Sequence, residues 1–92
     1  MNDKFLKRDC FAINVFDLLD FMRERKNNKN LVLAIAKWGS ILFVDKSKDV
    51  MYDEDDIMEL VGKELNVEFN YLFVEGNEFE AMVYLIERKL EN

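Results

Sequence analysis

Residues 31–45 read LVLAIAKWGSILFVD, and no other stretch does more to decide the fold. Two short aliphatic runs, 31–37 and 41–45, flank Trp38-Gly39-Ser40, a pattern typical of a β-hairpin. Strict alternation along the first run places Leu31, Leu33 and Ile35 on one face and Val32, Ala34 and Ala36 on the other. Because both faces are then apolar, we expect the sheet to be covered on both sides, by helices or by a second copy of the chain.

Upstream of the hairpin, the pattern predicts a short strand followed by a helix. Residues 10–13 are compatible with the strand, and Asn14 is placed to cap a helix that begins at Val15. The asparagine-rich residues 27–30 end this helix. Its apolar side chains recur at helical spacing, at Val15, Leu18, Leu19 and Met22.

Downstream of the hairpin, a second helix and a further strand are predicted. Asp53 follows a brief extended segment at Val50–Tyr52 and is placed to cap the helix. The carboxylates that come next suit the positive end of a helix dipole. Helical spacing gives this helix a buried stripe of Ile57, Leu60, Val61 and Leu65. Residues 67–74 alternate as a strand, with one face made of Val67, Phe69, Tyr71 and Phe73.

The last segment fits two structures. Gly76-Asn77 would turn the chain into another strand over 79–86, whereas Asn77 with Glu80 resembles a helix capping box. We favour a helix over 79–90, because apolar residues follow helical spacing at Phe79, Met82, Val83, Ile86 and Leu90. The order is then (β)αββαβα. This predicts an α+β fold with three to four strands and two to three helices, compatible with a ferredoxin-like βαββαβ arrangement followed by a helix.

Composition predicts a single small domain in the cytoplasm. The chain has 92 residues and is 50% hydrophobic, so we expect one α+β domain over residues 1–92, with the polar residues 1–9 loosely held. Cys10 has no partner for an internal disulfide, which favours a reducing compartment. We expect no secretory signal, because residues 1–10 are charged and no uninterrupted apolar stretch follows them. We expect no membrane partner, because the longest uncharged apolar run, Leu31–Ala36, is far shorter than the ~20 residues of a spanning helix. Abundant Lys and Asn, typical of AT-rich coding, point to a bacterial host cell.

The two halves of the chain carry opposite charge. Residues 1–48 contain 10 Lys or Arg and 6 Asp or Glu, a balance of +4, whereas residues 49–92 contain 3 and 13, a balance of −10. Between Asp49 and Glu80, 11 carboxylates accompany a single base, Lys63. Helix capping explains only part of this excess. Because a field of one sign opposes folding by self-repulsion, the excess predicts a partner of opposite charge.

These acidic residues form the predicted partner-binding surface. Carboxylates on successive helical turns present a row of negative charge that a groove built for phosphates would accept. We therefore predict a non-enzymatic inhibitor that imitates nucleic acid and blocks a basic nucleic-acid-handling protein, such as a nuclease. The predicted contact residues are Asp53, Glu54, Asp55, Asp56, Glu59, Glu64, Glu68, Glu78 and Glu80. Trp38 at the hairpin tip joins them as an interface anchor, although a core position is the commoner outcome for such a residue.

In size, acidity and α+β pattern, the chain resembles small acidic inhibitors, namely immunity proteins, antitoxins and phage-encoded blockers of host defence nucleases. The residues favour binding over catalysis, because the sequence contains no His and no Gly-rich phosphate loop. Two E-x-K fragments, at Glu24 and Glu87, fall in predicted helices, where metal-dependent nuclease chemistry is not expected. A net charge of −6 opposes direct binding of nucleic acid. We accordingly predict no enzyme activity and no cofactor.

Two alternative functions fit other features of the chain. The first is a structural or regulatory homodimer that covers its two-faced sheet by association. The second is calcium binding through residues 45–56, which match part of an EF-hand loop. The matching positions are Asp45, Ser47, Asp49, Asp53 and Asp56. Val50 replaces the glycine that the loop needs at its sharp turn, and Asp56 replaces the bidentate glutamate.

Overall fold

The computed structural model describes residues 10–37, 40–76 and 80–87, which form six strands and two helices. The elements are β1 (Cys10–Asn14), α1 (Val15–Arg25), β2 (Val32–Lys37), β3 (Ser40–Asp45), β4 (Val50–Tyr52), α2 (Glu54–Leu65), β5 (Phe69–Glu75) and β6 (Met82–Glu87). The strands make two antiparallel three-stranded sheets, ordered β1-β6-β5 and β2-β3-β4. The predicted α+β class is confirmed.

The hairpin is confirmed, but its two faces differ from the prediction. β2 and β3 pair antiparallel, and the register shifts between Leu33 and Ile35, so that Ala34 is the extra residue of a β-bulge. The bulge resets the alternation and puts Val32 and Ile35 on one face, where both are exposed. Leu33 and Ala36 share the other face, which turns towards the core. An extra residue reverses the faces of everything beyond it, and strict alternation does not reveal it.

The first helix follows the sequence closely. The Asn14 side chain accepts a hydrogen bond of 2.8 Å from the backbone N–H of Phe16 and so caps α1. All four residues of the predicted stripe are buried: Val15, Leu18, Leu19 and Met22. α1 packs against β1 and β2. A local cap and a helical repeat of apolar residues therefore specify this element.

The second helix follows its prediction in part. Asp53 caps α2, and Ile57 and Val61 are buried in the core. Leu60 is half-buried, whereas Leu65 at the end of the helix is 42% exposed, so its place in the buried stripe is wrong. The chain turns into β5 directly after Leu65, and this residue lies beyond the part of the helix that the core covers.

The predicted helix over 79–90 is wrong for the part of it that the structure describes. Met82–Glu87 is a strand, β6, and lies between β1 and β5 with ladder pairs on both sides. Val83 and Leu85 are fully buried, while Met82 is half-buried on the opposite face. A short apolar run satisfies helical and strand spacing equally, and pairing with two neighbours decides between them. Residues 77–79 and 88–92 lie outside the described residues.

The ferredoxin-like arrangement is not confirmed. Strands β2, β3 and β4 form a meander of their own, and the three strands nearest the ends of the described chain form the other sheet. The inner faces of both sheets contribute to one hydrophobic core, which both helices share. Its fully buried large side chains include Phe43, Leu18, Met22, Leu31, Ile57 and Leu85.

A second bulge changes the faces of β5. The register against β6 shifts between Phe69 and Tyr71, so Asn70 is the extra residue. Phe69 packs against the core and lies 6.4 Å from the ring of Phe11, whereas Tyr71 is 58% exposed. The prediction that Phe69, Tyr71 and Phe73 share one face is therefore wrong. Tyr71 and Phe73 instead belong to the outer face of the sheet.

Gly62 allows the chain to fold back tightly between α2 and β5. Its carbonyl oxygen accepts hydrogen bonds from the backbone N–H groups of Asn66 and Val67. A Cβ atom at position 62 would lie 2.6 Å from the carbonyl oxygen of Val67, which is far inside van der Waals contact. Because that oxygen belongs to the backbone, relieving the clash requires the turn itself to move.

Replacing Gly62 with Ala should therefore destabilise the protein, although Ala is the better helix former by about 1 kcal/mol. We expect the free energy of unfolding to fall by about 1–3 kcal/mol, the usual cost of overpacking. Urea denaturation followed by circular dichroism measures the change. Lys63→Ala, at the exposed neighbouring position, is the control, and a rise in the urea midpoint of Gly62→Ala would contradict the clash.

Asp45 is a buried carboxylate that ties the loop after α1 to the end of β3. Its side chain is 2% exposed and accepts hydrogen bonds from Asn28 Nδ2 at 2.8 Å, Ser47 Oγ at 2.6 Å and Ser47 N at 3.0 Å. These bonds, first that of the Ser47 hydroxyl and then that of Asn28, lower the pKa of Asp45 below its ordinary value of 3.8. Asn28 is itself buried, and its side-chain oxygen also accepts a hydrogen bond from the backbone N–H of Asn30.

Since the pKa of Asp45 is depressed by folding, its ionised form stabilises the native state above about pH 4, and this contribution is lost as the pH falls further. Asp45→Asn should lower the Tm at neutral pH by at least about 4 °C. The difference in Tm between the two proteins should shrink below about pH 4. Thermal melts across pH test this, and a difference that stays constant in acid would refute the role of the charge.

Candidate acidic binding surface

Two of the predicted contact residues serve mainly to begin a helix. The Asp53 side chain accepts hydrogen bonds from the N–H groups of Asp55 and Asp56, at 3.1 and 3.2 Å. The Asp56 side chain in turn accepts one from the N–H of Asp53, at 3.1 Å, which completes a capping box. Both carboxylates are held by the backbone of α2, so they have a structural role whatever else they contact.

Three other predicted residues line one open groove beside α2. Asp55 and Glu59 are four residues apart and therefore on one side of the helix, and Glu68 faces them from the segment before β5. The groove has a volume of about 320 Å³. Its other lining residues are Met58, Gly62, Val67 and Phe69. Carboxylates thus border apolar atoms, a combination that suits an aliphatic side chain with a cationic end.

The sequence prediction missed the apolar part of this groove. Asp55, Met58, Glu59 and Gly62 follow one another at intervals of three, one and three residues, which is a single helical stripe. That spacing is visible in the sequence and would have identified Met58. Phe69 had no such signal, because the bulge at Asn70 turns it to the same side as the core.

Glu64 forms an ion pair with Arg25, which belongs to the basic first half of the chain. Its carboxylate accepts hydrogen bonds from Arg25, at 3.0 Å to Nε and 2.8 Å to the second guanidinium nitrogen. The hydrogen bond with Arg25 lowers the pKa of Glu64, and the same bond raises the pKa of Arg25. Arg25 also lies 4.9 Å from the ring centre of Phe21. Glu64 therefore adds little to the negative surface around the groove.

Two lysines lie near the carboxylates of α2. Lys26 and Lys63 line a small cavity of about 110 Å³ together with Asp56 and Glu59. The Lys26 ammonium is 5.0 Å from the ring centre of Tyr52. Lys63 also lines a neighbouring open groove with Glu59 and Glu68, so positive charge borders the acidic groove on this side.

Two further predicted contact residues that the structure describes, Glu54 and Glu80, are not among the residues that line this groove. Trp38 and Glu78 lie outside the described residues. Glu80 is exposed and precedes Ala81, whose carbonyl oxygen accepts the N–H of Val15 at 3.0 Å, so it lies near the start of α1. Glu54 is half-buried in the first turn of α2.

The residues that match the EF-hand pattern have separate structural roles in the fold. Asp45 is buried against Asn28 and Ser47, and Asp53 and Asp56 belong to the capping box. Asp49 lies in the β3–β4 turn with a left-handed backbone, φ 55°. Within residues 10–37, 40–76 and 80–87, no group of three or more His, Cys, Asp or Glu side chains is arranged to hold a metal ion.

Comparison of the chain with protein-family models, with curated proteins and with solved structures finds no match. Neither helix in the described part of the chain has the length and apolar composition that crossing a lipid bilayer requires.

Substitutions of Asp53 test its role as a helix cap separately from any role in binding. Asp53→Ala should lower the free energy of unfolding by about 1 kcal/mol, because the N–H groups of Asp55 and Asp56 lose their acceptor. Asp53→Asn keeps an acceptor and should cost only roughly a few tenths of a kcal/mol. Chemical denaturation compares the two variants, and equal losses would show that the charge of Asp53, not its cap, stabilises α2.

Proposed function

We propose that this protein is a small, acidic, non-enzymatic inhibitor that binds a basic nucleic-acid-handling protein and blocks its nucleic-acid site. The observation that supports the proposal is the groove that Asp55, Glu59 and Glu68 line together with apolar residues. A partner evolved to hold phosphates presents Lys and Arg side chains, and these match the carboxylates in charge. The apolar groove residues Met58 and Phe69 would receive the aliphatic stem of one such side chain.

The spacing of the carboxylates limits how far the imitation of nucleic acid extends. Asp55 and Glu59 are separated by about 6 Å along the helix axis. Duplex DNA carries one charge per ~1.7 Å of its axis. The row is therefore much sparser than a duplex, and the proposed contact engages a few cationic side chains within a basic site. Long-range attraction between the acidic half and such a partner would speed association, by about 10- to 10³-fold where steering is strong.

The structure changes which residues should be altered in a test. Asp56 is half of the capping box and Glu64 is paired with Arg25, so reversing their charges would confound binding with folding. Asp55, Glu59 and Glu68 all line the groove, and all are exposed. Asp20, Glu75 and Glu80 are also exposed but do not line it, and Asp20 has only a long contact of 3.8 Å with Arg23 at the surface. Their reversal is a control with the same change in charge.

The triple variant Asp55→Lys, Glu59→Lys and Glu68→Lys should lose the partner, whereas the control triple variant should keep it. Capture from a nuclease-treated bacterial lysate, with identification by mass spectrometry, compares the two with the wild type. Three exposed contacts of about 0.5–1 kcal/mol each predict a loss of affinity of at least about tenfold. The captured protein should stop binding nucleic acid when the wild type is added.

The proposal fails if the groove variant retains the captured basic protein at wild-type affinity. It also fails if nucleic acid and this protein bind that partner at the same time. Binding should weaken as salt rises, because exposed charges more than ~10 Å apart are screened at 0.1 M ionic strength. Far-UV circular dichroism and the Tm verify that both triple variants are folded.

A further inference from the structure

The outer face of the sheet β2-β3-β4, defined as the face turned away from the helices, is apolar across all three strands. The register places Val32, Val44 and Met51 in one row, and Ile35 beside Leu42 in the next. Val32, Ile35 and Met51 are 47%, 42% and 65% exposed, and Val44 and Leu42 are half-buried. Five neighbouring apolar side chains on one exposed face are unusual for a protein surface that has no partner.

This face carries both a projection and a recess. Met51 is the most exposed of the large apolar residues in the described part of the chain. Beside it lies a groove of about 240 Å³, whose lining includes Ala34, Val44 and Val50. Ala34, the small residue at the bulge, borders the recess. A twofold interface requires one patch to fit itself, and a flexible methionine next to a recess meets that requirement.

The charges at the edge of the recess are also self-complementary. Lys46 and Asp49, both exposed in the β3–β4 turn, line the same groove as Ala34 and Met51. A twofold axis through the apolar face would bring Lys46 of one copy towards Asp49 of the other, and the reverse pair by symmetry. A strongly basic or acidic partner would instead meet one like charge at this edge. We infer that the outer face of β2-β3-β4 binds a second copy of this chain.

The net charge of −6 does not oppose this association at the face concerned. α2 packs against β3, β4 and β5, and its residues Ile57 and Val61 share the core with Phe43 on the inner face. The acidic groove is lined by α2 and residues 67–69, and none of its lining residues belongs to the five on the outer face. In a pair joined through the outer faces, the grooves are therefore outside the contact itself, and salt weakens the repulsion between them.

The apolar face alone supports the homodimer, which does not depend on the function proposed for the acidic groove. Its consequence is a particle with the helical sides of both copies turned outwards and the sheets in contact. Such a particle would present two copies of the acidic groove, and a partner with two basic sites would bind it more tightly than either groove alone.

Sedimentation equilibrium and light scattering test the inference on the full chain. At micromolar to near-millimolar concentrations, the mass should approach twice the 11.0 kDa of the chain. The dimer should persist in high salt, because apolar burial is not screened. A wild-type protein that stays at 11.0 kDa over this range would overturn the inference.

Two variants and one control identify the face. Met51→Lys and Ile35→Lys each place a charge on the outer face, and each should raise the dissociation constant at least about tenfold. Leu65→Lys is the matched control, since this leucine is as exposed as Ile35 but lies at the end of α2, and it should leave the dimer intact. A dimer that survives both outer-face substitutions would show that another face is used and would refute the assignment.

All three variants should keep the wild-type Tm within a few degrees, because the replaced side chains are exposed in the monomer and the melts are recorded at concentrations where dimers dissociate. The groove triple variant of the preceding experiment should remain a dimer. Loss of the dimer in that variant, with the outer face unchanged, would also contradict the inference and would leave the proposed inhibitor function untouched.

Discussion

The structure depends on the antiparallel pairing of β6 with β1 on one side and β5 on the other. This pairing joins the two ends of the described chain and buries Val83 and Leu85 completely. It also holds Ala81 where its carbonyl oxygen accepts the N–H of Val15, so the last hairpin fixes the position at which α1 begins. The other sheet, both helices and the shared core are arranged around this long-range contact.

The two sides of the β2-β3-β4 region have different chemistry. The inner face carries α2, and on the solvent side of that helix the carboxylates line a groove. The outer face is apolar, and the bulge at Ala34 together with the strand register decides which apolar side chains lie on it. The outer face of the sheet β1-β6-β5 also carries apolar side chains. The ring of Phe73 stacks on that of Tyr84, with 5.0 Å between the ring centres, and its centre is 5.8 Å from that of the tilted Tyr71 ring.

The acidic second half of the chain does several different things. Asp53 and Asp56 begin a helix, and Glu64 pairs with Arg25 of α1. A smaller group of carboxylates lines the groove beside α2, namely Asp55, Glu59 and Glu68. The charge excess therefore has both a structural and a solvent-facing part, and the proposed function concerns the second part alone.

The sequence by itself determined the elements that depend on near neighbours. Asn14 and Asp53 cap their helices within three residues, the stripe of α1 repeats every turn, and two neighbouring aliphatic runs pair as a hairpin. Tertiary structure alone decided three features. Residues 82–87 form a strand, and Glu64 pairs with Arg25. The bulges decide on which face of their sheets Ile35 and Phe69 lie. The physical reason is range: caps and helical repeats are satisfied locally, whereas register, bulges and ion pairs depend on residues distant in the chain.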